Sequence, residues 1–436
     1  MKYFGTDGIR GIANTTLSVN LCLNCGLALT KLKENPKIIL ATDTRQSRDM
    51  ISFALISGVL SGGGDVVDIG IAPTSMVSLL TTMMGFDFGV MISASHNPKE
   101  YNGIKIFGNN GLKLEDREEQ KIEYYISNAH NLLKKTESKI GSYQKNNELQ
   151  KRYIDHLIKN VNVRLNGLKV VLDLSNGASF KVAPLIYSSL GADVVVINDY
   201  KKGEINENCG SQYLSSLKEK VLLEKADIGI AFDGDADRIM CVDKNGKEYD
   251  GDAILYILAN SFNKRNLLKG NSIVGTIQTN LSIEKKLKTK HLNFYRSSVG
   301  DKYVMEKMNE VGSNLGGEQS GHIIIKDIIN TGDGLLSGLK LLEVMKLENK
   351  SLDELFNVKL MPQACSNIIV KDKERSISSV ELNFLLNALE KDFDGRIIVR
   401  KSGTENKIRV MVESNSKNKN KEILNKIIDI IKKEDI

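Results

Sequence analysis

The sequence contains few of the residues that mark fibrous, proline-rich or disulfide-stapled proteins. Its 436 residues include only 5 prolines and 36 glycines, which excludes the collagen-like and proline-rich classes. The 5 cysteines are odd in number and scattered, which argues against a disulfide framework. Cys22 and Cys25 have the spacing of a metal-binding pair, but no second pair completes a zinc site. We therefore expect these two thiols to pack on a helix.

Long apolar runs are also missing. Charges or glycine clusters interrupt every apolar stretch before about 18 residues, the length that a membrane-spanning helix needs. The N-terminus lacks the apolar core of a secretory signal. We therefore expect a cytoplasmic protein that has no membrane partner.

Charge of one sign is only slightly in excess. The chain has 60 Lys and Arg residues against 54 Asp and Glu residues, a net charge of +6. Spread over this length, the excess suits an anionic small molecule and does not indicate a nucleic-acid-binding arm. Apolar residues make up 41% and charged residues 26%, the mix of a soluble globular protein. At roughly 100–200 residues per domain, the length predicts two to four folding units.

One pattern, a strand followed by a helix and a second strand, occurs three times along the chain. Because its strands are apolar enough to be covered on both faces, we predict an α/β fold with three similar α/β domains and mixed sheets. The strands that bound the three copies are Lys37–Ala41 with Asp65–Ile69, Lys169–Leu174 with Asp193–Ile197, and Ser272–Ile277 with Leu292–Tyr295.

The stretch from about Met361 differs and predicts a smaller C-terminal α+β domain. A charged stretch at Asn128–Leu149 marks the first boundary, and the polar run SNSKNKNK near the C-terminus is typical of a solvated turn. The predicted domains are 1–150, 151–250, 251–360 and 361–436.

The segment SASHNP, Ser93–Pro98, directly follows the apolar run Phe88–Ile92, and we call it the serine loop. Because α/β folds bind their ligands at the carboxyl edge of the sheet, Ser95 is a candidate nucleophile. No G-x-S-x-G elbow surrounds it, and His96 would point away from Ser95 if the strand continued. The alternative is a serine that only caps the turn opened by Asn97 and Pro98.

The segment DGDADR, Asp233–Arg238, lies between two apolar runs and carries three carboxylates. Asp233, Asp235 and Asp237 alternate with small residues, which lets the backbone turn them toward one cation. The spacing and the strand-like flanks do not fit an EF-hand. Oxygen ligands favour a hard ion, and beside phosphate chemistry they favour Mg²⁺. A solvated acidic turn is the alternative, although three such carboxylates repel one another.

The segment GGEQSGH, Gly316–His322, is called the sugar loop here. Glu318, Ser320 and His322 stand at alternate positions, so in an extended loop they would face one way. A carboxylate, a hydroxyl and an imidazole fit sugar hydroxyls. Taken alone, the segment is equally typical of a glycine-rich turn.

The segment RKSGTENKIR, Arg400–Arg409, has the groups of a phosphate cradle. Ser402, Gly403 and Thr404 can turn hydroxyls and backbone N–H groups toward an oxyanion, and the two terminal arginines bring bidentate forks. Without the other loops, a basic surface hairpin would be the equal interpretation.

These four loops, in this order, resemble those of the α-D-phosphohexomutase superfamily over the whole chain. The opening YFGTDGIRG and the GEQSGH of the sugar loop are most similar to bacterial phosphoglucosamine mutases. Further matches are NGIK at Asn102–Lys105, SNGA at Ser175–Ala178, SVGDKYV at Ser298–Val304 and TGDG at Thr331–Gly334.

The resemblance implies four domains around a central cleft and an enzyme phosphorylated on Ser95. It implies the interconversion of glucosamine 6-phosphate and glucosamine 1-phosphate through a 1,6-bisphosphate, on the route to UDP-N-acetylglucosamine and the cell wall. It also implies Mg²⁺ bound by the three aspartates and Ser95, a sugar 1,6-bisphosphate activator and a homodimer. The residues that it places at the reacting centre are Arg10, Ser95, His96, Lys105, Arg238 and His322, with either Lys105 or His322 as the general base. Those it assigns to substrate are Glu318, Ser320, Arg400, Ser402, Gly403, Thr404 and Arg409.

Three positions depart from the family pattern. Lys401 and Asn406 replace two common prolines of the phosphate loop, which makes that loop less preorganised, and Lys401 could add a charge near phosphate. Lys302 stands where the family often has an arginine, so a bidentate guanidinium group is replaced by a single ammonium charge. The competing hypotheses are a phosphomannomutase or phosphoglucomutase with the same mechanism, and a non-catalytic phosphosugar-binding relative.

Overall fold

The computed structural model describes residues 2–200, 203–402 and 406–435. Its contacts divide the chain into two compact units. The larger unit is Met1–Thr276 with Asn293–Asn357, and the smaller unit is Ile277–Leu292 with Val358–Ile436.

The first part of the larger unit contains a sheet of seven strands, in the order β1-β2-β6-β5-β3-β4-β7. The pairs β3–β4 and β3–β5 are parallel, whereas β6 is antiparallel to both β2 and β5, so the sheet is mixed. Its elements are β1 (Phe4–Gly5), β2 (Gly8–Ile12), α1 (Val19–Leu32), β3 (Lys37–Thr42), α2 (Arg48–Ser61), β4 (Asp65–Ile71), α3 (Thr74–Met84), β5 (Phe88–Ile92), β6 (Tyr101–Gly108), α4 (Asp116–Ser127), β7 (Tyr143–Lys145) and α5 (Gln150–Lys159).

The second sheet has five strands in the order β12-β11-β10-β8-β9, again mixed. Its elements are β8 (Lys169–Asp173), α6 (Val182–Ser189), β9 (Asp193–Ile197), α7 (Ser215–Glu224), β10 (Ile228–Phe232), β11 (Ile239–Asp243) and β12 (Glu248–Tyr249).

The third sheet has four strands in the order β14-β13-β15-β16, parallel except for the last pair. The segment that contains it comprises α8 (Gly251–Lys264), β13 (Ser272–Thr276), α9 (Leu281–Lys288), β14 (Asn293–Ser297), α10 (Asp301–Val311), β15 (Leu315–Gly317), β16 (Ile323–Ile325), α11 (Gly334–Glu348) and α12 (Leu352–Leu355).

Helix α9 belongs to the smaller unit, together with a three-stranded antiparallel sheet in the order β17-β19-β18. The backbone N–H of Leu281, at the start of α9, donates to the carboxylate of Glu413 at 3.0 Å. The other elements of this unit are β17 (Gln363–Ile369), α13 (Lys373–Ile377), α14 (Val380–Asp392), β18 (Gly395–Lys401), β19 (Lys407–Ser414) and α15 (Lys417–Glu434).

The three predicted strand-helix-strand units are confirmed in element order and strand pairing, because β3–β4, β8–β9 and β13–β14 are all parallel pairs. In the third, the intervening helix α9 belongs to the smaller unit. Three α/β segments with mixed sheets and a smaller C-terminal α+β segment match the predicted fold class. Cys22 and Cys25 lie fully buried on α1, as expected of packing thiols. The exact domain boundaries stay a prediction.

The prediction of a solvated turn at SNSKNKNK is wrong for most of that segment. Strand β19 runs to Ser414, and α15 begins at Lys417. The side chain of Ser416 accepts a hydrogen bond from the backbone N–H of Lys419, so this serine caps the helix. The polar residues after it form the first turn, while apolar residues further along the helix face the core.

Within the ranges that the structure describes, no helix combines the length and the apolar content that crossing a membrane would require.

Candidate active site

Ser95 lies on a tight turn at the carboxyl end of β5. Its backbone adopts φ +53°, a left-handed conformation that is uncommon for residues other than glycine. The side chain is fully buried, and its Oγ donates a hydrogen bond of 2.5 Å to a carboxylate oxygen of Asp233. The serine predicted as nucleophile is therefore aimed at the predicted metal loop.

The three aspartates of that loop come together between β10 and β11. Ala236 adopts φ +59°, and its N–H donates to the carbonyl of Asp233 at 3.0 Å, so the loop folds tightly between the carboxylates. One oxygen from each of Asp233, Asp235 and Asp237 lies within 4.8 Å of the others, and all three residues are buried. We call these three carboxylates the acid cluster.

The acid cluster fits a divalent cation. Asp235 Oδ1 and Asp237 Oδ1 are buried, and neither has a hydrogen-bond partner in the described part of the chain. Burial, together with the charges of Asp237 and Asp235, holds the pKa of Asp233 well above its ordinary value. A hard cation that binds oxygen would satisfy the two open oxygens and offset this repulsion.

Lys105 places a positive charge against the acid cluster. Its Nζ lies 2.7 Å from Asp235 Oδ2 and 2.9 Å from Asp237 Oδ2, and it is 3.2 Å from Asp7 Oδ2. Burial alone would lower the pKa of Lys105, but these three carboxylates together hold it well above its ordinary value. Lys105 is therefore a fixed positive charge at neutral pH.

A chain of charges extends from Lys105 to the sugar loop. Asp7 accepts from Arg10 and Lys113, and Lys113 Nζ lies 2.5 Å from Asp301 Oδ2. Although burial favours the neutral form of Asp7, the positive charges of Lys105, Lys113 and Arg10 hold its pKa well below the usual range. The predicted residues Arg10 and Lys105 are thus joined through residues that the sequence analysis did not assign.

Asp7, Lys113 and Asp301 are these missed residues. Asp7 stands in the opening motif YFGTDGIRG and Asp301 in SVGDKYV, so the motifs contained a signal for both. Lys113 has no such signal, because its role depends on two partners that lie 106 and 188 residues away in the sequence.

Arg238 lies beside the acid cluster, where the sequence analysis expected it. Its Nε is 3.8 Å from Asp237 Oδ1 and 4.0 Å from Asp233 Oδ2. Its backbone N–H also donates to Asp233 at 3.2 Å. Arg238 therefore brings positive charge to the side of the cluster that faces Ser95.

His96 does not point away from Ser95. Its Nδ1 lies 3.3 Å from Ser95 Oγ, because β5 ends at Ile92 and the left-handed turn at Ser95 breaks the strand alternation. Burial and the charges of Arg238 and Arg10 lower the pKa of His96 to about 3. The imidazole is therefore neutral near pH 7.

The sugar loop is a tight turn and not an extended segment. The N–H of Gly321 donates to the carbonyl of Glu318 at 2.9 Å, so the expected alternation of side chains does not hold. Glu318 Oε1 instead accepts from the N–H of Gly300 at 2.8 Å. Ser320 lies on the turn itself and is only partly buried.

His322 ends this turn and is buried, with 3% of its surface exposed. Neither of its ring nitrogens has a hydrogen-bond partner among the described residues. Its Nε2 lies 3.7 Å from Asp301 Oδ2. The imidazole is thus held beside a carboxylate, and neither nitrogen is committed to a hydrogen bond within the described residues.

In the smaller unit, Arg400 and Arg409 stand directly opposite each other on the antiparallel pair β18–β19. Like charges in that position repel each other. Ser402 is buried, and its N–H donates to the carbonyl of Lys407 at 2.8 Å, but the predicted residues Gly403 and Thr404 lie outside the described residues.

Two of the departures from the family pattern have partners in the structure. Lys401 forms an ion pair with Glu374, so part of the charge expected near phosphate is used locally. Lys302 Nζ lies 2.6 Å from Asp116 Oδ1 and also donates to the carbonyl of Leu114 at 3.1 Å.

Comparison with protein families matches four consecutive models over nearly the whole chain. They are the alpha/beta/alpha domains I, II and III of phosphoglucomutase/phosphomannomutase and the C-terminal domain of the same proteins. The matched residues are 1–132, 151–246, 250–361 and 367–430.

Individual relatives and solved structures agree. A phosphoglucosamine mutase of Brevibacillus brevis is 42% identical over 444 residues, which cover 99% of both chains. A phosphoglucomutase/phosphomannomutase family protein of Burkholderia thailandensis has the same fold, with a TM-score of 0.83 and 23% identity over 98% of this chain and 97% of the other. An N-acetylphosphoglucosamine mutase of Aspergillus fumigatus, solved with GlcNAc-6P and magnesium, has a TM-score of 0.66 and 17% identity over 100% and 96% of the two chains.

Proposed function

The chain belongs to the α-D-phosphohexomutase superfamily, in its bacterial phosphoglucosamine mutase branch, and we propose that Ser95 carries the phosphoryl group that is moved. The enzyme is an isomerase that interconverts glucosamine 6-phosphate and glucosamine 1-phosphate. The observation that supports the role of Ser95 is its Oγ, buried and 2.5 Å from Asp233 in the acid cluster.

The reaction consists of two phosphoryl transfers. In the first, a sugar hydroxyl attacks the phosphorus on Ser95 and loses its proton, a bond to the sugar oxygen forms, and the bond to Ser95 Oγ breaks so that this oxygen regains a proton. The product is a sugar 1,6-bisphosphate, which turns and returns its other phosphoryl group to Ser95. Each transfer passes through a loose, in-line transition state whose charge lies on the phosphoryl oxygens.

The acid cluster is the proposed site of Mg²⁺, with Asp233, Asp235, Asp237 and an oxygen on Ser95 as its ligands. When bound, this ion would supply positive charge to a phosphoserine of about −1.5 to −2 charges. The Aspergillus fumigatus mutase was solved with magnesium, which supports this choice of metal. Arg238 and Lys105 add fixed positive charge on either side of the cluster.

His322 is the better candidate for the general base. Lys105 is held in its charged form by three carboxylates, so it cannot readily accept a proton. His322 has two open ring nitrogens and lies 3.7 Å from Asp301, which would stabilise the imidazolium that forms. We assign the proton of the attacking hydroxyl to His322, and charge stabilisation to Lys105 and Arg10.

The remaining roles rest on the family. Glu318 and Ser320 would bind the sugar, and Arg400, Ser402, Gly403, Thr404 and Arg409 would bind the phosphate that is not reacting. A sugar 1,6-bisphosphate would prime the enzyme by phosphorylating Ser95. Because charged sugar phosphates do not cross membranes unaided, we place the reaction in the cytoplasm. A homodimer stays a prediction.

A coupled assay tests this function. Glucosamine 6-phosphate, glucose 1-phosphate and mannose 1-phosphate are assayed side by side with the primed enzyme, with Ser95→Ala as the inactive reference. We expect turnover of the amino sugar to exceed that of either neutral hexose. A higher turnover on a neutral hexose would overturn the substrate assignment, and no turnover on any of the three would indicate a binding protein.

A further inference from the structure

The peptide groups of Ser95 are held by side chains and not by a regular strand. The N–H of Ser95 donates to Ser93 Oγ at 2.9 Å, and Ser93 Oγ in turn donates to Asp43 Oδ2 at 2.7 Å. All three residues are fully buried. The amide side of Ser95 is therefore tied to the carboxylate of Asp43.

The backbone carbonyls of the serine loop accept hydrogen bonds from Arg45. This arginine is buried, with only 1% of its surface exposed. Its Nη2 donates to the carbonyls of Ser95 at 2.9 Å and Asn97 at 2.8 Å. Its Nη1 donates to the carbonyls of Pro98 at 2.5 Å and Tyr101 at 2.8 Å. Its Nε donates to Asp43 Oδ2 at 3.0 Å, so the same buried ion pair holds both sides of Ser95.

A second side chain, from the segment of the second sheet, reaches the same two carbonyls. Asn206 Nδ2 donates to the carbonyl of Ser95 at 2.8 Å and to that of Asn97 at 3.0 Å. Its Oδ1 accepts from Ser175 Oγ at 2.7 Å, which fixes the orientation of the amide. Asn206 is 8% exposed and therefore acts in a largely dry environment.

These contacts explain how Ser95 keeps a disfavoured backbone conformation. A left-handed residue with a side chain persists only where its surroundings over-determine it, and such strain is concentrated at functional sites. Fixing φ at Ser95 also fixes the direction of its Cα–Cβ bond, and hence where Oγ can be placed. In-line transfer is sensitive to such placement, since a shift of about 1 Å can cost about 100-fold in rate.

We propose that Asp43, Arg45 and Asn206 are positioning residues that aim Ser95 Oγ at the acid cluster for both phosphoryl transfers. The inference rests on the proposed function, because it assigns a role to the surroundings of the same serine. None of the three residues touches the reacting atoms, and they act through the backbone of the serine loop.

The first test is Arg45→Lys, with Arg48→Lys as the matched control. Lysine keeps the positive charge beside Asp43 but lacks the guanidinium group that donates hydrogen bonds to four carbonyls. We expect kcat to fall about 100-fold with KM changed less than about twofold, because substrate contacts are intact. The rate at which glucose 1,6-bisphosphate phosphorylates Ser95, followed by intact-mass spectrometry, should fall in parallel. Arg48→Lys, on the helix that follows, should leave both rates unchanged.

The second test is Asn206→Asp, with Asn208→Asp as its control. Aspartate keeps the size, the tolerance of positive φ and the acceptor for Ser175, but it removes both donors to the serine loop. Asn208 is exposed, has a similar φ of +54° and would receive the same new charge two residues away. We expect about a tenfold loss of kcat for Asn206→Asp and no loss for Asn208→Asp.

The outcomes separate the inference from the proposed function. If the wild type neither takes up phosphate on Ser95 nor turns over glucosamine 6-phosphate, the proposed function fails. If the wild type does both and Arg45→Lys and Asn206→Asp match it in kcat, the positioning role is overturned. A folded Asn206→Asp with a raised KM and an unchanged kcat would also overturn it.

Discussion

The serine loop and the sugar loop differ in how far their polar groups are already satisfied. Both peptide groups of Ser95 and its hydroxyl are engaged by buried neighbours. Both ring nitrogens of His322, by contrast, are buried without a hydrogen-bond partner in the described structure. The hydroxyl proposed to carry the phosphoryl group is thus fixed in advance, whereas the imidazole of the sugar loop is not committed to a partner among the described residues.

The difference follows from what each loop has to do. In the proposed reaction, Ser95 presents one atom in one geometry twice per cycle, so a backbone conformation fixed by many contacts is useful. The sugar presents two different hydroxyls in turn. A base whose ring nitrogens were hydrogen-bonded to the protein could not accept a proton from both hydroxyls. The variants below test whether the two loops really differ in this way, in order of decreasing expected effect.

Replacing the nucleophile should have the largest effect. Ser95→Ala should lose at least about a thousandfold in mutase turnover, because the hydroxyl proposed to carry the phosphoryl group is removed. Intact-mass spectrometry after incubation with glucose 1,6-bisphosphate should detect no added phosphate. Ser57→Ala, on the exposed face of α2, serves as the control. Uptake of one phosphate by the Ser95→Ala variant would place the phosphoryl group elsewhere.

Neutralising the acid cluster should change activity and stability in opposite directions. Asp233→Asn should lower turnover by about 100-fold or more, because a cation ligand is lost. Burial and the charges of Asp237 and Asp235 raise the pKa of Asp233, so its charged form is disfavoured in the folded state without a cation. In metal-free buffer at pH 7, we therefore expect the variant to be more stable than the wild type.

Thermal unfolding with EDTA and then with Mg²⁺ measures this prediction. Added Mg²⁺ should raise the Tm of the wild type and have a smaller effect on Asp233→Asn. Asp193→Asn, at the exposed start of β9, should behave as the wild type. Equal Mg²⁺ shifts in all three proteins would contradict a cation at the cluster.

Removing the open imidazole tests the sugar loop. His322→Asn should lower kcat by about 100-fold, the usual contribution of a positioned base, with little change in stability. His130→Asn, which is exposed, is the matched control. Steady-state kinetics on glucosamine 6-phosphate give the result, and an unaltered kcat would mean that another group takes the proton.

The strain at Ser95 should appear as a difference between two inactive variants. Glycine adopts positive φ without penalty, whereas alanine keeps the strain of φ +53°. The relief of strain should make Ser95→Gly more stable than Ser95→Ala by about 1 kcal/mol. The larger backbone entropy that glycine loses on folding reduces this difference. Urea unfolding of both variants measures the difference. A Ser95→Ala variant at least as stable as Ser95→Gly would show that the turn is not strained.

A pH dependence of stability away from both loops gives a separate test of the structure. Burial raises the pKa of Glu119 on α4 to about 7, against the opposing charges of Lys302 and Lys113, while Asp116 and Glu123 raise it further. The folded state therefore binds this proton more tightly than the unfolded state, so stability falls as the pH rises from about 4.5 to 7.

Glu119→Gln should remove that fall, which we expect to be about 1–3 kcal/mol. Above pH 7 the variant should be the more stable protein by the same amount. Chemical unfolding of both proteins across the pH range checks the sign. A wild type whose stability rises between pH 5 and 7 relative to the variant would be inconsistent with a buried, neutral Glu119.

The central strands of the fold could be predicted from the sequence. Strand β5 has the predicted ends, because an unbroken apolar run between turn residues leaves few alternatives. The residues that hold the site together could not be predicted in the same way. Arg45 and Asn206 lie in polar loops without periodicity, and they meet the serine loop only through contacts across 50 or more residues. Asn206 and Ser95, for example, are separated by 111 residues.

Local conformation caused the other errors. The alternation predicted for the sugar loop and for His96 assumes an extended chain, but turns at Gly321 and Ser95 break that assumption. Motif spacing identified which residues belong to the site, and it could not give their directions. Those directions depend on left-handed backbone at single positions.

Anomalous diffraction would test most directly for the cation on which the proposed phosphoserine chemistry depends. The wild type, phosphorylated with glucose 1,6-bisphosphate, is crystallised and soaked in Mn²⁺ in place of Mg²⁺. We expect an anomalous peak within bonding distance of Asp233, Asp235, Asp237 and a phosphate oxygen on Ser95. Phosphoserine density with no peak among these carboxylates would contradict the proposal.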